Sequence, residues 1–228
     1  MHHHDRLVIA IDGPAASGKS STAQWVADRL GVRHVDSGAF YRVLTALALR
    51  AGESPEAWTA QSLLVHSVHV QLQLAELSVV PHVAGLADED LRNQWVTQNV
   101  SRVAQMPDVR TWVNERVREA GAAADVVVDG RDIGTVVFPN AALKIFLIAD
   151  PWERARRRLV QRLGRRPTDA EIALETEVLV ARDASDATQS APARDAVTID
   201  TSALTQPEQV ERIVALAKAT RERFTKAP

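Results

Sequence analysis

Cysteine is absent from this chain of 228 residues, which excludes disulfides, thiolate metal sites and thiol nucleophiles together. Aromatic residues make up only 4%, with Tyr41 the single tyrosine. Lysine is scarce too: four stand beside 23 arginines. An arginine alone is therefore a weak pointer to function, because this sequence uses Arg wherever a surface cation is needed, whereas each lysine counts for more. Neither an apolar run of about 18 residues nor a secretory-signal pattern occurs. The formal net charge of −2 gives no global basic field to hold nucleic acid or an anionic membrane. His2, His3 and His4 read as a cloning remnant, and His34, His66, His69 and His82 are scattered without the carboxylate spacing of a zinc site. What remains is a cytoplasmic protein, expected to be a monomer without nucleic-acid or membrane partners. Its length suffices for one sizeable core and an inserted subdomain.

The most informative stretch that is present is Gly13-Pro14-Ala15-Ala16-Ser17-Gly18-Lys19-Ser20-Ser21. It fits the phosphate-binding loop pattern and lies between an apolar strand run, Leu7–Ile11, and a helical pattern from Ser21 to Leu30 closed by Gly31. The glycines let successive backbone N–H groups point at phosphate oxygens, and the helix N-terminus adds partial positive charge. Lys19 would reach the terminal phosphates as a point charge, and the Ser20 hydroxyl would hold Mg²⁺. ATP as co-substrate and Mg²⁺ as cofactor are the resulting expectations.

Further strand runs lie at Arg33–Val35, Asp125–Val128, Leu143–Ile148 and Ala196–Ile199. Helical patterns fall between them, at Ala39–Ala51, Val109–Ala120, Trp152–Leu163, Ala170–Ala181 and Pro207–Arg223. The alternation predicts an α/β fold: a parallel sheet of the P-loop NTPase type, flanked by helices. Residues 54–106 break the rhythm. There His66–Leu74 alternates polar and apolar residues and Leu77–Val83 is a second β-rich run, which predicts a small antiparallel β insert separate from the parallel core. Residues 1–53 and 107–228 would form the core. Gly164-Arg165-Arg166-Pro167-Thr168 interrupts two helices and predicts a short lid over about residues 154–170. Seven arginines between Arg154 and Arg166 fit a solvated face or a cationic lid over polyphosphate. An RNA-binding patch fits poorly, because no aromatic residue interleaves with them.

Asp36-Ser37-Gly38-Ala39-Phe40-Tyr41-Arg42 follows the second strand, and Asp129 ends the third, with Arg131 and Asp132 just beyond. Ligands of open parallel sheets bind at such strand ends. Asp129 beside a phosphate loop fits the water shell of Mg²⁺ better than a plain turn residue.

These segments closely resemble bacterial cytidylate kinases. The matching blocks are Ile11–Ser21, Asp36–Arg42, Ser101 with Pro107–Arg110, Asp129–Ala141, Lys144–Asp150, Glu153–Arg158, Ala181–Asp186 and Ala196–Ser202, in order along nearly the whole chain. The resemblance implies phosphorylation of CMP and dCMP to CDP and dCDP by MgATP, in pyrimidine nucleotide metabolism. It gives the insert as the monophosphate-binding region and makes Lys19, Arg131 and Asp129 the catalytic group. Arg42 and Arg131 would clamp the acceptor phosphate, a planar guanidinium suiting two phosphate oxygens. Arg154, Arg157 and Arg158 would close from the lid. Ser37 and Tyr41 lie in a matching block and join the CMP site. Asp132, Ser101 and Arg110 would contact the base, and Arg182 and Asp186 the ribose. A carboxylate accepts from the cytosine amino group, whereas facing a uracil oxygen it costs about 1–3 kcal/mol. One departure stands out: the family motif ends in an arginine where this chain has Gln189, so weaker cytosine preference is expected, unless Arg194 substitutes. Two other readings stay open here, a kinase for another acceptor and a nucleotide-dependent switch protein that leaves Arg42 and Arg131 idle.

Overall fold

Apolar side chains of the central strands alternate between two faces, and this alternation sets the layers. In the computed structural model, which describes residues 6–122 and 124–226, β1 (Val8–Asp12) runs parallel between β5 (Val126–Gly130) and β6 (Leu143–Ile148). Ile9, Ile11 and Val127 enter one core against α1 (Lys19–Leu30) and α9 (Gln206–Lys226). Ala10, Val126 and Val128 enter the other, against α2 (Ser37–Arg50) and α6 (Pro107–Ala122). With β2 (Arg33–Asp36), β7 (Val197–Asp200) and a hairpin of β3 (Gln71–Leu74) and β4 (Ser78–His82), the sheet has seven strands among the described residues, in the order β3-β4-β2-β5-β1-β6-β7. Only β3 runs antiparallel to its neighbour. The expected helix-flanked parallel sheet is present. His2 to His4 lie outside the described residues.

The insert departs from expectation in two ways. Its hairpin is antiparallel, but it is not separate from the core: β4 pairs in parallel with β2, His34 opposite Ser78 and Val35 opposite Val79. Val79 is fully buried in the main core, which ties the hairpin to the sheet. The first half of the alternating run is not strand either, because His66–His69 forms a short 3₁₀ turn with His66 Nε2 2.6 Å from Glu53 Oε1. The rest of the insert is helical: α3 (Ala60–Val65), α4 (Asp88–Arg92) and α5 (Gln94–Ala104). On α5, Val96, Val100 and Val103 are buried at helical spacing while Gln94, Thr97 and Ser101 face the cleft. After β6, α7 (Pro151–Leu163) and α8 (Asp169–Asp186) form a helical hairpin about Gly164, with a Thr168–Glu171 capping box starting α8. Because α8 runs on past Ala181, Arg182, Asp183 and Asp186 sit on a helix.

Asp12 ends β1 and ties it to the wide helical turn Ile133–Val137. Its carboxylate accepts the N–H groups of Ile133 and Gly134, both at 2.8 Å. Burial pushes its pKa up from 3.8 to about 6, against these bonds and with help from nearby Asp132. Between those two values the folded state keeps a proton that the unfolded chain has lost, so stability falls as pH rises through this window. Asp12→Asn removes this component. The unfolding free energy of wild type minus variant, from urea titrations, is expected to fall from about pH 4 to about pH 6 and to level off above. A flat difference would mean that Asp12 ionises normally.

Candidate active site

The loop between β1 and α1 folds as its glycines require. At Gly13, φ is +153° and a Cβ would stand 2.4 Å from the Leu147 carbonyl oxygen of β6, so no larger residue fits. Gly18 caps α1 in the left-handed region, with no side-chain cap and no acidic residue in the first turn. The N–H groups at this helix end thus face the cleft without a side-chain acceptor, an arrangement suited to an anion. Ser17 Oγ is fully buried with no partner. Lys19 Nζ rests on the Pro14 carbonyl at 2.9 Å. Burial, then the charge of Arg131, push its pKa down to about 7. An anion entering the cleft would supply counter-charge to this ammonium.

Strand register places the carboxylates. Asp129 pairs with Ile11 on one side and with Asp36 on the other, so both acids stand at carboxyl ends beside the loop. Ser20 Oγ donates to Asp129 Oδ2 at 2.5 Å, and His34 Nε2 lies 2.7 Å from Asp129 Oδ1. Burial opposes charge on His34, yet the hydrogen bond and charge of Asp129 outweigh it and its pKa rises. Asp36 caps α2 by accepting the Ala39 N–H, and burial, then Asp129, raise its pKa. The Ser20 hydroxyl and the Asp129 carboxylate are hard oxygen donors that suit Mg²⁺. Among the described residues no group of three or more His, Asp or Glu could hold a metal alone.

A cleft of about 2080 Å³ brings together Ser37, Tyr41, Arg42, Ser101, Arg110, Arg131, Asp132, Arg182, Asp186 and Gln189, the full set expected for the acceptor nucleotide. Ser37 Oγ donates to the Asp129 carbonyl at 2.7 Å. Burial raises the Tyr41 pKa to about 12. Arg42 reaches from α2 to the insert, donating to the Leu91 carbonyl at 3.1 Å and to Thr97 Oγ1 at 3.3 Å. Arg110 donates to Asp132 and, at 2.8 Å, to Gln189 Oε1, which links three elements far apart in sequence. Arg194 is exposed and does not line the cleft.

Of the three arginines expected on the lid, Arg157 and Arg158 line the cleft and Arg154 does not. Arg154 is 3% exposed and donates to the Ala15 and Ala149 carbonyls and to Asp183 Oδ2 at 2.7 Å. It anchors the phosphate loop and is not a cation closing from above. The reason is local: α7 begins against the loop, and its first inward turn points Arg154 at the loop backbone. Arg157 lines the cleft while it donates to the carbonyls of Thr201, Ser202 and Leu204 before α9. Arg158 lines the cleft, paired with buried Glu175 at 3.2 Å. Arg131 pairs with Asp186 at 2.9 Å and reaches the Gly13 carbonyl. Burial, then Arg131, lower the Arg182 pKa to about 10.

Sequence reasoning missed Asp12, Gln24, His34 and Asp183. Asp183 also accepts the Ala15 N–H at 3.2 Å, so it ties the loop to α8. It was legible only as part of a matching block, without a role.

A family model described as cytidylate kinase matches residues 9–219. The cytidylate kinase of Chloroherpeton thalassium is 40% identical over 219 residues, covering 93% of this chain and 93% of that protein. That of Geobacillus kaustophilus is 43% identical over 217 residues, covering 92% and 96%. A crystal structure of shikimate kinase from Bacteroides thetaiotaomicron, 13% identical, covers 93% of this chain and 98% of its own with a TM-score of 0.48. That superposition is too loose to carry an argument.

The anchoring role of Arg154 predicts a stability effect. Arg154→Ala takes this donor from the Ala15 and Ala149 carbonyls and a cation from half-buried Asp183, which keeps the Ala15 N–H, and should cost about 1–3 kcal/mol by urea denaturation. A midpoint equal to wild type would make Arg154 a surface cation after all.

Proposed function

From the premise that this chain belongs to the cytidylate kinase family, and so phosphorylates CMP and dCMP with ATP, we propose the following division of labour in the cleft. The phosphate loop and α1 hold the ATP phosphates, and Lys19 follows the migrating phosphoryl group. Arg42 and Arg131 clamp the CMP phosphate, offsetting the repulsion between two anions. A CMP phosphate oxygen then attacks the γ-phosphorus, the bond to the β-phosphate oxygen breaks, and ADP leaves. Such a transfer needs positioning and charge neutralisation more than covalent help. Ser20 and Asp129 would hold Mg²⁺, which would supply charge neutralisation at the donor phosphates. Arg158 faces the same space from α7, and Arg182 with Asp186 takes the ribose. The observation that carries this reading is the gathering of three half-buried cations, Lys19, Arg131 and Arg182, on the cleft beside the phosphate loop; desolvation first and Arg131 next push Lys19 and Arg182 down in pKa, and a polyanion would relieve all three.

Asp132 accepts from the cytosine amino group, with Arg110, Ser101 and Gln189 about the base. Gln189 offers an uncharged amide whose oxygen already accepts from Arg110, which supports a weaker hold on cytosine than a second guanidinium would give. Residues 54–106 serve as the monophosphate-binding region, and the α7–α8 hairpin about Gly164 as the lid. The substrates are small and soluble, which supports a cytoplasmic monomer acting in pyrimidine nucleotide metabolism without nucleic acid or membrane.

ADP production from MgATP with CMP, dCMP, UMP, AMP and GMP tests the reading: fast turnover is expected with CMP and dCMP only. Turnover equal on all five, or on none, would sink it. Lys19→Ala should cut kcat by at least about a hundredfold, with unchanged far-UV circular dichroism. Asp132→Ala should raise the KM for CMP and narrow its lead over UMP by about tenfold. Gln189→Arg should tighten CMP, and an unchanged KM and CMP/UMP ratio would clear Gln189 of the deficit.

A further inference from the structure

Behind the Ser20–Asp129 pair stands a buried histidine that phosphoryl transfer does not itself require. His34 is 7% exposed on β2. Its Nε2 meets Asp129 Oδ1 at 2.7 Å, and its Nδ1 lies 3.0 Å from Gln24 Oε1. Ser20 and Gln24 are four residues apart on α1, so they occupy one face of that helix, turned to the sheet. On the adjacent strands β2 and β5, His34 lies opposite Val127, two positions before Asp129, so both side chains stand on one face of the sheet and meet diagonally. The four side chains close a chain from the helix to the sheet and back, Ser20 to Asp129 to His34 to Gln24.

Asp129 is 2% exposed, so each carboxylate oxygen needs a partner. Left to itself it has an alternative, since its charge already acts on Lys19. A carboxylate turned to Lys19 would both neutralise the lysine and leave Ser20. We propose that His34 and Gln24 are positioning residues: they engage Asp129 Oδ1 so that Oδ2 stays on Ser20, at the place where the nucleotide-borne cation is held. The inference rests on the reading of Asp129 given under Proposed function. An aliphatic residue would fill the same space on β2, but it could not occupy Oδ1. Gln24 in turn keeps the imidazole from rotating about its bond to β2.

Mn²⁺ is the probe, its binding to the ADP complex followed by electron paramagnetic resonance alongside steady-state kinetics with CMP. His34→Leu is expected to weaken Mn²⁺ binding and to lower kcat by about tenfold each, with the KM for CMP unchanged. His34→Gln, which restores an N–H donor toward Asp129, should recover most of both. Gln24→Ala, at a half-buried position, should show a smaller loss in the same direction, and it reports on the chain even where His34→Leu fails to fold. Wild-type Mn²⁺ affinity in Gln24→Ala and His34→Leu, with a large loss in Asp129→Asn, would overturn the inference and spare the reading of Asp129. Unchanged Mn²⁺ binding in Asp129→Asn would overturn both.

Discussion

Strand β5 is held in register by β1 on one side and β2 on the other, and the placement of the cleft follows from that double pairing. Asp12 lies opposite Gly130, and Ile11 and Asp36 both lie opposite Asp129. Because side chains alternate faces, a slip of one residue would turn Asp129 away from Ser20 and bring Gly130 into its place. The register is fixed by burial on both sides: Val126, Val127 and Val128 are all fully inaccessible to solvent. Gly130 completes the constraint. A Cβ there would stand 2.5 Å from Ser37 Oγ, so the strand end fits beneath α2 only without a side chain.

Around this frame the cleft is electrostatically unfinished. Lys19, Arg42, Arg131 and Arg182 are all lowered in pKa, with burial the leading cause in each. Carboxylates hold the excess in check: Asp186 on Arg131, Asp132 on Arg110, and Glu175 on Arg158 and Arg162. Each pair orients a guanidinium without filling all of its donors, so a phosphate can be recognised without first breaking the support. Asp183 differs in kind. It joins Arg154 and the Ala15 N–H, so it fastens the phosphate loop to the helical hairpin.

Much of this was legible in the sequence, for definite reasons. The loop at Gly13–Ser20 announces itself through glycine spacing between a strand and a helix, and the order of strands and helices gives the parallel sheet. The ten acceptor-side residues came from motif resemblance, and they converge on one cleft. What could not be read was tertiary. Arg154 sits in an arginine-rich stretch whose members look alike, and only the packing of α7 against the loop singles it out. His34 has no neighbour in sequence that hints at Asp129, because their contact is made by strand pairing. The valine spacing on α5 is a helical signal, whereas the alternating run His66–Leu74 earlier in the insert points to strand. The Asp132–Arg110–Gln189 link depends on the end of α8 folding back beside α6, which no local pattern states.

The pairing of β4 with β2 bears on how the enzyme moves. A module joined to its neighbour by flexible linkers can swing as a door, but here the hairpin and the core share backbone hydrogen bonds across one continuous sheet. Helices α4 and α5 lean on α2 by side-chain contact, through Val43, Ala46, Leu91 and Val96, with Arg42 reaching across. On the role proposed for the insert, enclosing a bound monophosphate would fall to these helices. They would slide over the surface of α2 by small, packed displacements while the strands beneath stay still. Closure in that role would be shear and not a swing, and Arg42 would be the side chain that crosses the sliding boundary.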